Sequence, residues 1–307
     1  MFFRFIFLFF QIRALYVFLT EQIIWLNQIK SCMRKDKNIK SKKIRIGDIS
    51  ISYFSSSPLS KNRKTILFLH GFPFNKNSWR NQVGSLSSVA NCIAIDIRGH
   101  GNTTSGHGFF SIDVFAKDLI VFIEKLELQS VVLCGISMGG YIALRSYEIK
   151  PELFQALILC DTHANADTNT QKQNRFDTIQ SILHHGKRPF SIGFITKLFT
   201  PESIENNIPE IEMIRSSIRR NGTTSICSTL LALASRTDTY NILKEIQAPC
   251  LLIRGKEDRI TPYKAMNDMH TQLPNSTFKE IEDAGHLPNL ERPKLFNNLM
   301  YDFLKTF

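Results

Sequence analysis

Five short runs along the chain are apolar at consecutive positions with no polar alternation: Lys64–Leu69, Cys92–Asp96, Val131–Gly135, Ala156–Cys160 and Cys250–Gly255. Such runs are what a strand buried on both faces of a parallel sheet requires. Ahead of them, Lys43–Ile46 and Ile49–Phe54 predict a hairpin across Gly47-Asp48, and Thr277–Glu282 predicts an edge strand at the far end. Helical spacing fills the intervals. Phe115, Leu119, Phe122 and Leu126 fall 4, 3 and 4 residues apart on one helix face within Ser111–Leu126. Met138–Ile149 is stopped by Pro151, and Tyr263–Leu273 and Pro293–Leu304 complete the set. Strands alternating with helices at this spacing predict an α/β fold with a mostly parallel, doubly wound sheet covered on both faces.

The alternation breaks once. Between Asp161 and Gln247 there is no convincing strand but a series of amphipathic pieces: Gln173–Leu183, Phe194–Leu198, Glu202–Asn206, Ile211–Arg219 and Cys227–Ser235. Regularly spaced apolar residues argue against a disordered linker there. The stretch predicts a helical cap inserted before the penultimate strand, over the strand ends where open α/β sheets bind ligands. The expected organisation is a core formed by residues 44–162 and 245–307, a cap at 163–244 and an N-terminal extension at 1–43.

Charge changes the picture only at that N-terminus. The formal charge is +11 over 307 residues, but residues 1–43 hold nine Lys/Arg against Glu21 and Asp36, which leaves about +4 for the rest. No segment interleaves basic and aromatic residues as a nucleic-acid face would, so no nucleic-acid partner is expected. The first eighteen residues carry seven of the 24 Phe, and Phe5–Leu19 is apolar except for Gln11 and Arg13. That run is short for a spanning helix, which needs about 20 apolar residues. Lys30 spoils Ile29-Lys30-Ser31-Cys32 as a lipoprotein-type cleavage site. Three readings stay open: an upstream extension with the natural start at Met33, a membrane-proximal anchor, and a signal peptide. The first two agree on the cytoplasm, the anchor because basic residues from Lys30 to Lys43 favour the cytoplasmic side. Membrane contact is expected only through residues 1–30.

The six cysteines show no C-x-x-C pair and no metal-type spacing, and Cys92, Cys134, Cys160 and Cys250 fall in or beside the strand runs. They read as small buried hydrophobes. No metal and no cofactor are expected.

The candidate chemistry centres on Gly135-Ile136-Ser137-Met138-Gly139, which follows an apolar strand and precedes a helix. A serine hydroxyl is a weak nucleophile, so it must be presented bare at a sharp strand-to-helix turn within reach of a base and of oxyanion donors. His286, in Asp283-Ala284-Gly285-His286-Leu287-Pro288 after the last strand, is the candidate base. Asp258, in Gly255-Lys256-Glu257-Asp258-Arg259, is the candidate orienting acid; Asp161 at the preceding strand end is its rival and Glu257 a near neighbour. The backbone N–H groups of Met138, in the first helical turn, and Phe72, in His70-Gly71-Phe72-Pro73, are the candidate oxyanion donors. His70 reads as a loop brace. Asp96-Ile97-Arg98-Gly99-His100-Gly101 lacks phosphate-loop spacing and reads as structural, and His163, His184, His185 and His270 receive no role.

Together these five motifs, in this order, resemble the α/β-hydrolase superfamily over roughly residues 44–307. Within it, the segment Cys160–Thr168 is similar to the stretch entering the cap of 3-oxoadipate enol-lactonase-like proteins, with His163 where that resemblance would place Arg. The serine separates the chain from haloalkane dehalogenases and epoxide hydrolases, whose nucleophile is aspartate. It does not separate carboxylesterases, lactonases, perhydrolases and carbon–carbon bond hydrolases. The resemblance implies a serine hydrolase of a small carboxylic ester or lactone. The alternatives are a carbon–carbon bond hydrolase and a ligand-binding protein with slow turnover.

Overall fold

A computed structural model of the chain describes residues 39–56 and 58–307. The expectations for the apolar run and for most of the basic cluster near the N-terminus lie outside the described residues. One eight-stranded sheet organises the rest, in the order β1-β2-β4-β3-β5-β6-β7-β8. The hairpin strands β1 (Lys40–Ile46) and β2 (Ile49–Ser55) are antiparallel, and β2 also meets β4 antiparallel. β1 begins inside the stretch read as extension, because pairing continues from Lys40 to Ser55. From β4 onward every neighbour is parallel: β3 (Thr65–Leu69), β4 (Asn91–Ile95), β5 (Val131–Ile136), β6 (Phe154–Cys160), β7 (Cys250–Gly255) and β8 (Ser276–Ile281).

β3, β4, β5 and β7 are buried at every position, which is why their sequences show no alternation. β8 sits at the edge, with Thr277, Lys279 and Glu280 exposed and Ile281 buried. Right-handed crossovers decide which face each helix covers. The step from β3 to β4 runs toward β1, whereas the steps from β4 to β5 and from β5 to β6 run toward β8. The Arg80–Leu86 helix therefore lies on one face and Ile112–Lys125 and Met138–Ile149 on the other. Pro293–Leu304 packs beside Arg80–Leu86. The chain turns to opposite faces after β3 and β5, so a crevice opens outside their C-terminal ends, where ligands of open α/β sheets bind.

Between β6 and β7 lie five helices and no strand: Asn169–His185, Lys187–Leu198, Pro201–Glu205, Pro209–Arg220 and Thr223–Ala234. Two elements differ from the sequence expectation. Arg80–Leu86 is helical although only Val83 and Leu86 are large and apolar, because its buried Gln82 is satisfied by Asn289 and Asn297 from the C-terminal helices. Lys187–Leu198 begins seven residues before the expected Phe194, with Pro189 in its first turn, where a missing N–H costs no helical bond. Among the described residues, no helix is long and apolar enough to cross a membrane.

Candidate active site

Every candidate residue follows the C-terminal end of a parallel strand. Ser137 comes directly after β5, with φ 53° and ψ −118°, a left-handed conformation that costs on the order of 1–3 kcal/mol for a residue with a side chain. Its neighbours make the turn sterically feasible. A Cβ on Gly135 would stand 2.2 Å from the Gly139 carbonyl oxygen, and one on Gly139 would stand 2.3 Å from that of Leu69. Ser137 is the N-cap of the helix it precedes but makes no side-chain capping bond, so its hydroxyl is not consumed by the helix. The carbonyl of Ser137 is held by the Thr162 hydroxyl at 2.8 Å, and its N–H donates to Cys160 O at 2.9 Å.

The loop after β3 passes alongside. A Cβ on Gly71 would lie 3.3 Å from the Ser137 Cβ, so Phe72 follows immediately at the serine's side. His70 braces this loop: its Nε2 accepts from the Ile97 N–H at 3.0 Å, which leaves Nδ1 to donate to Gly71 O at 2.8 Å. The loop after β4 is fixed by a buried ion pair, Lys76 Nζ to Asp96 at 2.5 Å, and by Arg98 clamped between Asp48 and Asp118. Both readings of these motifs as structural agree with these contacts.

The turns after β7 and β8 are stitched together, Lys256 N to Ile281 O and Glu257 N to Ala284 O, both at 2.9 Å. Gly255 is required where they cross, since a Cβ there would lie 1.9 Å from Gly285 O. The stitching sets His286 Nδ1 2.9 Å from Asp258 Oδ2, with both side chains almost wholly buried. A carboxylate can only accept, so Nδ1 carries the hydrogen and Nε2 is left with its lone pair. Asp258 Oδ1 accepts from the Ile260 N–H at 2.7 Å. Burial by itself would raise the Asp258 carboxyl, but His286, the Ile260 N–H and Asp161 together hold it below the ordinary carboxylate value. Glu257 is exposed.

Asp161, after β6, is also buried: Oδ1 accepts from Gly255 N at 2.9 Å, while Oδ2 has no hydrogen-bond partner among the described residues. Burial and the neighbouring Asp258 charge push this carboxyl well above the usual range. One ligand-type atom each of Asp161, Asp258 and His286 falls within 4.8 Å of the others. The 2.9 Å approach of Asp258 to His286 is that of a hydrogen bond, shorter than the roughly 3.3 Å between two ligands of a tetrahedral ion with bonds near 2.0 Å.

Ser137, Met138, Phe72 and His286 line one cavity of about 690 Å³. Its remaining walls come mainly from the five-helix insertion, including Arg175, Phe190, Phe194 and Leu230, together with Tyr141 and Ile260. Sequence reasoning singled out none of these insertion residues. The spacing of Gln171, Asn174, Thr178 and Ser181 along one helix was the signal available, a polar face on a helix otherwise read only for its apolar positions. All five cysteines among the described residues are free, and four are buried.

A serine at a strained strand-to-helix turn, a buried His–Asp pair and a shared cavity outside a parallel sheet define the class of α/β hydrolases. The chain belongs to the alpha/beta hydrolase fold family, whose model matches residues 64–293. It is similar to 3-oxoadipate enol-lactonase 2 of Acinetobacter baylyi, 26% identical over 260 residues covering 85% of this chain and 95% of that protein. Among solved structures it is similar to a thermophilic esterase from Thermogutta terrifontis with malate bound: TM-score 0.80, 28% identity, 87% of this chain and 98% of that one. The enol-lactonase of Burkholderia xenovorans LB400 shares the fold with TM-score 0.80 at 21% identity, over 86% of this chain and all of that one.

Proposed function

We propose that the protein is a serine hydrolase of a small carboxylic ester or lactone, working through an acyl-enzyme. The observation that carries the reading is that the buried His286–Asp258 pair and the uncapped, strained Ser137 open onto one cavity. In this mechanism Ser137 Oγ attacks the carbonyl carbon and His286 Nε2 takes its proton. Asp258 holds the Nδ1–H tautomer and stabilises the imidazolium. The oxyanion is met by the N–H groups of Met138 and Phe72, each worth roughly 2.7–4 kcal/mol by analogy with oxyanion donors elsewhere. His286 returns the proton to the leaving alcohol, and water, activated by the same histidine, clears the acyl group. The similarity to an enol-lactonase and to an esterase supports the ester or lactone carbonyl as the target. A cavity of about 690 Å³ suits a small substrate.

The test is labelling with a fluorophosphonate probe and peptide mapping. Modification confined to Ser137, absent in Ser137→Ala and strongly reduced in His286→Ala, is the expected result. Folded protein that takes no label, or takes it elsewhere, would overturn the reading. We place the protein in the cytoplasm, a reading that the free thiols support; recovery of the native protein in the membrane fraction would reverse it.

A further inference from the structure

The cavity is two-sided. One wall is aromatic and aliphatic, from Phe72, Phe190, Phe194 and Leu230. The other is the Asn169–His185 helix, which turns Gln171, Asn174, Thr178 and Ser181 toward the cavity at i, i+3, i+7 and i+10. A cavity for a neutral long-chain ester has no use for a hydrogen-bonding wall, since polar groups covered by alkyl chain lose their water partners.

Arg175 stands in that polar wall. Its Nε donates to Asp167 Oδ2 at 2.6 Å, and only 25% of its side chain is exposed. The two Nη groups make no hydrogen bond among the described residues. Asp167 cannot neutralise it, because the other carboxylate oxygen is taken by Arg236. Arg236 is itself buried, donates to Asn165 O at 2.7 Å and lies 4.3 Å over the Tyr141 ring. Two guanidiniums thus share one carboxylate. Asp238 nearby is exposed and accepts from the Ala166 and Tyr240 N–H groups. The remaining charged groups on the cavity wall are Lys197 and Arg259, exposed and in no ion pair among the described residues, and one acid, Asp177. The cavity therefore carries net positive potential, and its one braced cation presents a free planar fork, the geometry that matches a carboxylate.

We infer that Arg175 is an anion anchor and that the ester or lactone this protein hydrolyses carries a carboxylate on its acyl or alcohol part. The inference rests on the hydrolase reading above and deepens it. The apolar wall takes the carbon chain, Arg175 takes the charged end, and the scissile carbonyl lies toward Ser137.

The experiment compares two 4-nitrophenyl esters of equal acyl length, the neutral butyrate and the anionic hemisuccinate. In Arg175→Gln the hemisuccinate-to-butyrate ratio of kcat/KM falls about tenfold or more, through the KM of the anionic ester, as loss of a charged hydrogen-bonding partner requires. Arg175→Lys recovers part of the ratio. Calorimetry of succinate and butyrate with Ser137→Ala protein reads the same anchor without turnover. Succinate binds and butyrate does not, and Arg175→Gln in that background abolishes the binding. If esters are turned over but neither the ratio nor succinate binding depends on Arg175, the anchor is overturned and the hydrolase reading stands. If succinate binds through Arg175 while neither ester turns over in folded protein, the anchor stands and the hydrolase reading falls.

Discussion

Asp161 and Asp258 follow neighbouring strands and lie buried with carboxyl oxygens within 4.8 Å of each other, and their surroundings push the two carboxyls in opposite directions, Asp161 up and Asp258 down. Two like charges that close in a low-dielectric site cannot both ionise. Asp258 is held low because His286 and the Ile260 N–H are bonded to its two oxygens and Asp161 lies beside it, whereas burial and the Asp258 charge raise Asp161. Of the two acids the sequence left as rivals, Asp258 is the one hydrogen-bonded to His286.

That difference predicts asymmetric mutants. Asp258→Asn loses the tautomer control of His286 and lowers kcat by about 10⁴, as loss of the orienting acid does elsewhere. Asp161→Asn, which copies the neutral acid, keeps activity close to wild type. Steady-state kinetics on one aryl ester decides it. Equal losses in both variants would make Asp161 part of the orienting machinery.

Asp161 also predicts a pH signature in stability. Its folded value lies well above the ordinary 3.8, so between 3.8 and that raised value the native state holds a proton that the unfolded chain releases. Stability from this group therefore falls as pH rises through that window. Asp161→Asn removes the slope, and urea unfolding of the variant shows a smaller loss as pH rises above 3.8 than wild type.

Two buried histidines, His70 and His100, and the half-buried His163 act in the opposite sense. Burial first, then the neighbouring cation, holds His163 down to about 4, and burial likewise holds His100 to about 4 and His70 well below 6.5. The unfolded chain binds their protons below about 6.5 while the native state does not, so their contribution is complete above that pH and is lost toward pH 4. Melting temperature falls most steeply across that interval, and His163→Gln makes the fall shallower. A flat profile from pH 6.5 to 4 would contradict the burial argument.

The turn at Ser137 is sensitive to one carbon atom. Gly139→Ala places a Cβ 2.3 Å from the Leu69 carbonyl, backbone that cannot yield without moving the β3 end and the Phe72 loop. The expected cost is about 1–3 kcal/mol or more in urea unfolding, with a fall in kcat. A variant as stable and active as wild type would mean that the strand and helix are less tightly apposed.

Lys76 anchors the loop after β4 with almost no exposed surface. Lys76→Met leaves the Asp96 charge buried without its counter-ion, and denaturant unfolding shows a loss of about 3–5 kcal/mol. Little or no loss would mean that the Lys76 N–H, Asn102 N–H and Thr103 contacts around Asp96 suffice.

Much of this was written in local pattern. Strands buried on both faces must be apolar throughout, so Thr65–Leu69, Val131–Ile136 and Cys250–Gly255 declare themselves. The glycines around Ser137 are dictated by backbone contacts within a few residues, and the positions of Asp258 and His286 follow from strand ends that the same pattern locates. Arg80–Leu86 was illegible because polar side chains make its packing, and Lys187–Leu198 was obscured by a proline tolerated only because of where the helix starts.

The sequence by itself determined the parallel sheet, the break for the helical insertion and the residue types at the strand ends, because burial periodicity and backbone sterics act between near neighbours. Only the tertiary structure decided which of two aspartates bonds His286, that Arg175 shares its carboxylate with Arg236, and which insertion residues line the cavity with Ser137. Those outcomes depend on charges and hydrogen bonds between groups far apart in the chain, whose distances no local pattern encodes.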